Sequence, residues 1–122
     1  MNSAAIWMTC AALALATPAL AQTDCTRPTA PATVDGSTVT MEQLMTAKAD
    51  TAAFITASDD FQSCVIKSLE TQRAAAKADK KKMDQAVVKA ANAQIGENQK
   101  DKERVGSGFN AAVRAYKKAH PS

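Results

Sequence analysis

A chain of 122 residues with 46% hydrophobic but only 4% aromatic side chains is one domain with a thin core, not a thick globule. Four glycines and four prolines leave little material for many turns, and alanine dominates the apolar count, so long, closely packed helices are favoured. The net charge is +3, and so few aromatic rings give little to stack on bases, which argues against a nucleic-acid binder.

The first element is an apolar leader. Ala4 to Ala16 is almost entirely apolar and too short to anchor in a bilayer. Pro18 ends the stretch, and Ala19-Leu20-Ala21 places small residues where a signal peptidase reads. Residues 1–21 are therefore predicted to be a signal peptide cleaved after Ala21, and the protein to be exported to a bacterial periplasm or the extracellular space. No Lys or Arg lies between Met1 and Ala21, so the charge ahead of the apolar run rests on the α-amino group. Cys10 sits inside that run, which continues through Leu15. It is expected to leave with the leader, not to carry a lipid.

Removal of the leader leaves Cys25 and Cys64 as the only cysteines. In an oxidising compartment such a pair reads as one disulfide. The closed loop of about 40 residues is worth roughly 4 kcal/mol in the chain-entropy model. The competing reading is two free thiols. With only His120 available besides, the pair makes no zinc ligand set, and without a CxxC it has no thiol-exchange motif.

Residues 22–39 contain Pro28, Pro31, Gly36 and several threonines, which prevent a helix. Asp35-Gly36 is a turn signal. The segment is predicted to be an extended arm that wraps back along a helix and is fixed by Cys25. The alternative is a disordered leash held by the disulfide alone.

A helix is predicted from about residue 41 to 77. Thr40 and Gln43 fit a capping box, and Glu42 suits the first-turn dipole. Neither Gly nor Pro occurs from Met41 until Gly96. In heptads, Leu44, Thr51, Ser58 and Val65 share one column, and Ala47, Phe54, Phe61 and Ser68 the next. Met41, Ile55 and Leu69 flank them, interrupted by Lys48 and Gln62. This stripe is wide enough to pack on another helix but irregular for a strict coiled coil. Cys64 lies at its edge, where the arm crosses without displacing the core. The reversal is placed at Lys77–Lys82, with Asp79 as cap of the next helix. The alternative is one helix from Met41 to about Ala93, a rod of roughly 80 Å.

The second helix is predicted from about residue 80 to 119. Val88, Ile95, Phe109 and Tyr116 form one seven-residue column, broken by Lys102, and Ala91, Asn98, Val105 and Ala112 form the next. Asn98 either sets register from an inward position or faces solvent. Gly96, Gly106 and Gly108 mark a kink or a close approach of the arm or partner helix. Pro121 stops the helix near Ala119. Gln22 to Gln72 holds seven acids against three bases, while Arg73 to Ser122 holds twelve bases against five acids. Either the two helices neutralise each other, which is the favoured reading, or the second offers a basic surface to an anionic partner.

No nucleophile elbow, phosphate loop, dinucleotide fingerprint, zinc-protease helix or calcium loop occurs in the sequence. Asp59 and Asp60 are helical neighbours about 100° apart and do not converge on one proton or metal. His120, two residues from the end, is expected to be mobile and without a partner. Met41, Met45 and Met83 read as core filler. Lys80, Lys81 and Lys82 are either a solvated turn or a contact for an anionic surface. No catalytic residue, metal or cofactor is expected.

Phe109-Asn110-Ala111-Ala112-Val113-Arg114-Ala115-Tyr116-Lys117-Lys118, the Asp35-Gly36-Ser37-Thr38-Val39-Thr40 approach to the first helix and Cys64 together resemble small exported helical proteins of proteobacteria that have no assigned function. That resemblance covers most of the mature chain and carries no active site. The chain shares an alanine-rich helical character with murein-lipoprotein-type trimers but lacks their lipidated cysteine. It shares a basic hairpin with tentacled holdase chaperones but lacks a strand-built body. The fold expected is all-α: two long antiparallel helices, a coiled-coil-like hairpin at residues 40–120, with an N-terminal arm held by one disulfide. The function expected is non-enzymatic, a structural or interaction role in the cell envelope through helix–helix packing. The alternative is a binding or chaperone-like module whose basic helix meets anionic lipid or acidic clients. Candidate partners are a second copy of the chain, an anionic envelope surface or another envelope protein, with no nucleic acid.

Overall fold

The structure is a computed structural model, and it describes residues 25–122. The expected signal peptide with its expected cleavage after Ala21, Cys10 and the first residues of the arm lie outside the described residues. Two antiparallel helices, α1 (Met41–Ala78) and α2 (Gln85–Ala119), form a hairpin, and an extended arm runs ahead of α1. Among the described residues there is no strand.

Helix α1 starts at the predicted capping box. The Gln43 N–H donates to the Thr40 hydroxyl oxygen at 3.2 Å, and the Thr40 N–H donates to Gln43 Oε1 at 2.8 Å. Two otherwise orphaned donors are thus satisfied reciprocally. The helix ends at Ala78, within a residue of the expected end. Ala74-Ala75-Ala76 and Ala78 are strong helix formers that carry it to Ala78. It then closes in a Schellman turn: the Lys80 N–H donates to the Lys77 carbonyl at 3.1 Å and the Lys81 N–H to the Ala76 carbonyl at 2.8 Å. Lys80 takes the left-handed conformation such a turn requires, with φ 54°.

The reversal therefore occupies residues 79–84, not 77–82, and α2 begins at Gln85 instead of near residue 80. Asp79 is the last-turn cap of α1. The cap of α2 is Asp84, whose Oδ1 accepts from the Ala86 N–H at 2.8 Å. The Schellman turn consumes the residues just after Asp79, so only the second aspartate is left where the chain re-enters a helix.

The core is a seam between the two predicted stripes. From α1 it takes Leu44, Phe54, Ser58, Phe61 and Val65; from α2 it takes Ala91, Asn98, Val105 and Ala112. The α2 side is the column of smaller residues. Val88, Ile95, Phe109 and Tyr116 lie half-buried at its flank. Small side chains on α2 let the backbones approach while Phe54 and Phe61 of α1 fill the space between them. Asn98 is wholly buried, so it faces inward. Its Nδ2 donates to the Ser58 hydroxyl at 3.1 Å, and its Oδ1 accepts from Gln62 Nε2 at 2.9 Å. Met41 and Met45 are more than half exposed, contrary to their reading as core filler. At the start of α1 only Leu44 points into the seam, and the two methionines flank it. Met83 is half-buried at the turn.

The arm lies along both helices, meeting α1 at Cys64 and α2 at Glu97, Asp101, Gly108 and Ala112. Its length fits this path: ten extended residues from Cys25 to Asp35 span about 33 Å, and the 23 residues of helix from Met41 to Cys64 rise about 35 Å. The Asp35 carbonyl accepts from the Thr38 and Val39 N–H groups at 3.1 and 3.2 Å, and this turn hands the chain to α1. Gly36 is buried there against α2. A Cβ at this position would overlap the Ala112 carbonyl, so the close approach admits no side chain. Gly108 faces Thr33 of the arm at ordinary contact distance, whereas Gly96 and Gly106 look into open space.

Candidate functional site

Three fastenings make the arm, α1 and α2 one body. Cys25 and Cys64 form the expected disulfide, with Cα atoms 5.7 Å apart across 39 residues of sequence. Arg27, two residues on, bridges to the other helix: Nη1 donates to Glu97 at 2.9 Å and Nη2 to Asp101 at 2.8 Å. Arg104 supports the second oxygen of Asp101 at 3.1 Å. The Arg27 guanidinium, then Arg104, holds the Asp101 carboxyl below the usual carboxylate range. In turn Asp101, then Glu97, raises the Arg27 pKa above its ordinary value. The third fastening is the seating of Gly36 on Ala112. At the turn, the Ser37 hydroxyl and then its N–H lower the Asp35 pKa.

Charge varies by level along the hairpin as well as between its helices. Around the middle, acids and bases meet in pairs: Arg27 with Glu97 and Asp101, Lys102 with Asp59, Arg104 with Asp101. The tip differs. From Arg73 to Lys89 six bases stand against Asp79 and Asp84, while the remaining described residues hold nine bases and nine acids. The net side-chain charge of the described body therefore sits at the tip. Lys77, Lys80, Lys81, Lys82 and Lys89 are all exposed, and among the described residues none is in an ion pair. The expectation of two complementary helices holds only along the body. The basic surface belongs to the turn, because the chain reverses inside its densest lysine run.

The remaining candidates are soon placed. Asp59 and Asp60 are both exposed; Asp59 binds Lys102, and Asp60 borders an open depression beside the disulfide with Ser63, Lys67 and Thr71. His120 has a partner: its ring stacks on Tyr116 with centroids 4.2 Å apart, and Nδ1 lies 3.1 Å from the Tyr116 carbonyl oxygen. A groove of about 390 Å³ runs between the arm and the start of α1, lined by Pro31, Val34, Val39, Glu42, Thr46 and Asp50. A cavity of about 20 Å³ behind it, between Val34, Thr51, Val105 and Phe109, has room for about one water. Among the described residues no three His, Cys, Asp or Glu side chains converge as a metal site, and no helix is long and apolar enough to cross a membrane.

Sequence reasoning missed Arg27 and Gly36 as fastenings. The signal for Gly36 was the Asp-Gly turn, but its burial depends on α2. Arg27 showed no local pattern, since its partners lie 70 and 74 positions away. Comparison with protein-family models, with curated proteins and with solved structures finds no match to this chain.

Proposed function

We propose that the chain is an exported cell-envelope protein that works by interaction and not by catalysis, as a stapled helical rod offering its outer faces to other envelope components. The observation that carries this reading is the Cys25–Cys64 disulfide, which joins the arm to α1 across 39 residues. A bridge of this kind persists where thiols oxidise, and cytosolic reductants remove it. The leader ahead of it, with its small-residue end at Ala19-Leu20-Ala21, supports the same compartment. The resemblance to small exported helical proteins of proteobacteria belongs to this reading as well. Self-association through the outer faces of the hairpin is part of it; sedimentation at high micromolar concentration tests that part, and a strict monomer removes it.

The test of the whole is fractionation of freshly harvested cells with immediate thiol alkylation and a non-reducing gel. The expected result is an oxidised chain, shortened by the 21-residue leader, in the envelope or periplasmic fraction. A full-length cytosolic chain whose Cys25 and Cys64 alkylate freely would overturn the proposal. Crosslinking in the intact envelope then identifies what the rod touches.

A further inference from the structure

We propose that the hairpin tip docks end-on onto an anionic phospholipid surface. The proposal deepens the envelope reading by naming the partner of one end of the rod. Its basis is the segregation of charge. Six bases between Arg73 and Lys89 face two acids, and both aspartates sit at helix caps: Asp84 holds the Ala86 N–H, and Asp79 ends α1. The lysines of the turn are exposed and free of ion pairs among the described residues. The rest of the described chain balances to zero in side-chain charge. A surface that attracts this protein electrostatically therefore attracts its end.

Dimensions set the orientation. Helix α2 has 35 residues and rises about 52 Å. The second group of bases, Arg114, Lys117 and Lys118, lies about 40 Å or more along the rod from the turn. The screening length is about 8 Å at physiological salt. Bases that far away add nothing to a contact made at the tip, and the body, with nine bases against nine acids, offers no net charge to a contact made side-on.

The backbone at Lys80 is a second, independent observation. A Schellman turn favours glycine at the left-handed position, yet lysine stands there with φ 54°. The side chain is kept at a place where its loss would relax the fold.

The nature of the site selects lipid over the other polyanions. Arg73 to Lys89 contains no aromatic residue to stack on a base. The depression at the turn, lined by Gln72, Lys81, Lys82 and Met83, also has Asp79 and Asp84 at its edge, so it is no pocket for a single phosphate. What remains is a convex end with long, mobile cationic side chains. That is the diffuse attraction by which basic segments hold to anionic headgroups.

The experiment uses the oxidised mature chain and vesicles of phosphatidylcholine with and without phosphatidylglycerol, sedimented across a salt series. Binding is expected only with phosphatidylglycerol, and it is expected to disappear at high salt. Each of Lys80→Gly, Lys81→Gln and Lys82→Gln should weaken it about five-fold, and the triple variant about a hundred-fold. Lys80→Gly should at the same time raise the melting temperature, which separates lost contact from lost fold. Lys117→Gln with Lys118→Gln should leave binding unchanged. Equal binding to both vesicles, no binding at low salt, or an equal loss from the Lys117/Lys118 variant would overturn the proposal, as would capture of an oligonucleotide or acidic protein without vesicle binding. Vesicle binding is read in vitro, so its failure is distinct from a failure of the fractionation test.

Discussion

Replacing Asn98 by alanine probes the one polar clamp inside the seam. Asn98 and Ser58 are both wholly buried, and the amide serves two partners, the Ser58 hydroxyl and Gln62. Two hydrogen bonds are lost, each worth about 1 kcal/mol net. Ser58 then loses its partner in the interior, although a helical serine hydroxyl turns readily onto the carbonyl four residues back. Gln62 is only half-buried and regains water. With the void left by the amide, the cost is about 2–3 kcal/mol, or a fall of about 10–20 °C in Tm for a domain of this size. Ser58→Ala is the sharper half of the cycle. It strands the Asn98 amide donor where no water reaches, at about 1–3 kcal/mol. The double variant should cost about 1 kcal/mol less than the sum, because removing both partners leaves nothing unpaired. Urea titrations followed by far-UV circular dichroism supply all three values, with m-values expected to be unchanged. Strict additivity, within about 0.3 kcal/mol, would refute the clamp. A further variant, Ser58→Ala with Asn98→Leu, should retain stability but lose a unique register, seen as mixed species in sedimentation.

Other perturbations test the arm. Cys25→Ser with Cys64→Ser frees a closed loop of 39 residues and should cost up to about 4 kcal/mol in denaturant titration; a loss below about 1 kcal/mol would mean the staple restrains little. Gly36→Ala forces a methyl into the Ala112 carbonyl and should lift the arm at a cost of about 1–3 kcal/mol, read as faster amide exchange on the adjoining face of α2. Gly96→Ala meets nothing within 4 Å and should instead stabilise α2 by up to about 1 kcal/mol; a destabilised protein would contradict the open space there. Asp101 and Asp35 have lowered pKa values in the fold, so their contribution is complete above the unfolded aspartate value, near about 3.9, and is lost as pH falls through the folded one. Arg27→Met removes the larger share of the Asp101 part and leaves the share held by Arg104 and the Asp35 part, so stability plotted against pH should have a shallower acid limb. An unchanged limb would show that the Arg27 fork is not formed in solution.

What the sequence determined by itself is local or combinatorial. The Thr40–Gln43 capping box, the absence of breakers up to Gly96 and the stop at Pro121 set the outer ends of both helices, because each acts within one helical turn. Pro28 and Pro31 exclude a helix from the arm whatever it touches. With Cys10 assigned to the expected leader, Cys25 and Cys64 were the one pair left to expect, so that expectation needed no geometry. Register is another matter. Two adjacent columns on α2 were equally periodic, and only the fit of Phe54 and Phe61 against small residues made Ala91, Asn98, Val105 and Ala112 the seam. That choice turned Asn98 inward, left Met41 and Met45 outside and brought Arg27 to Glu97 and Asp101. The turn was decided the same way. Asp79 and Asp84 are equally good caps in isolation, and the Schellman closure at Lys80 selected the second. Contacts across 40 to 70 positions exist only once both helices have a fixed rotation about their axes, and no local pattern carries that angle.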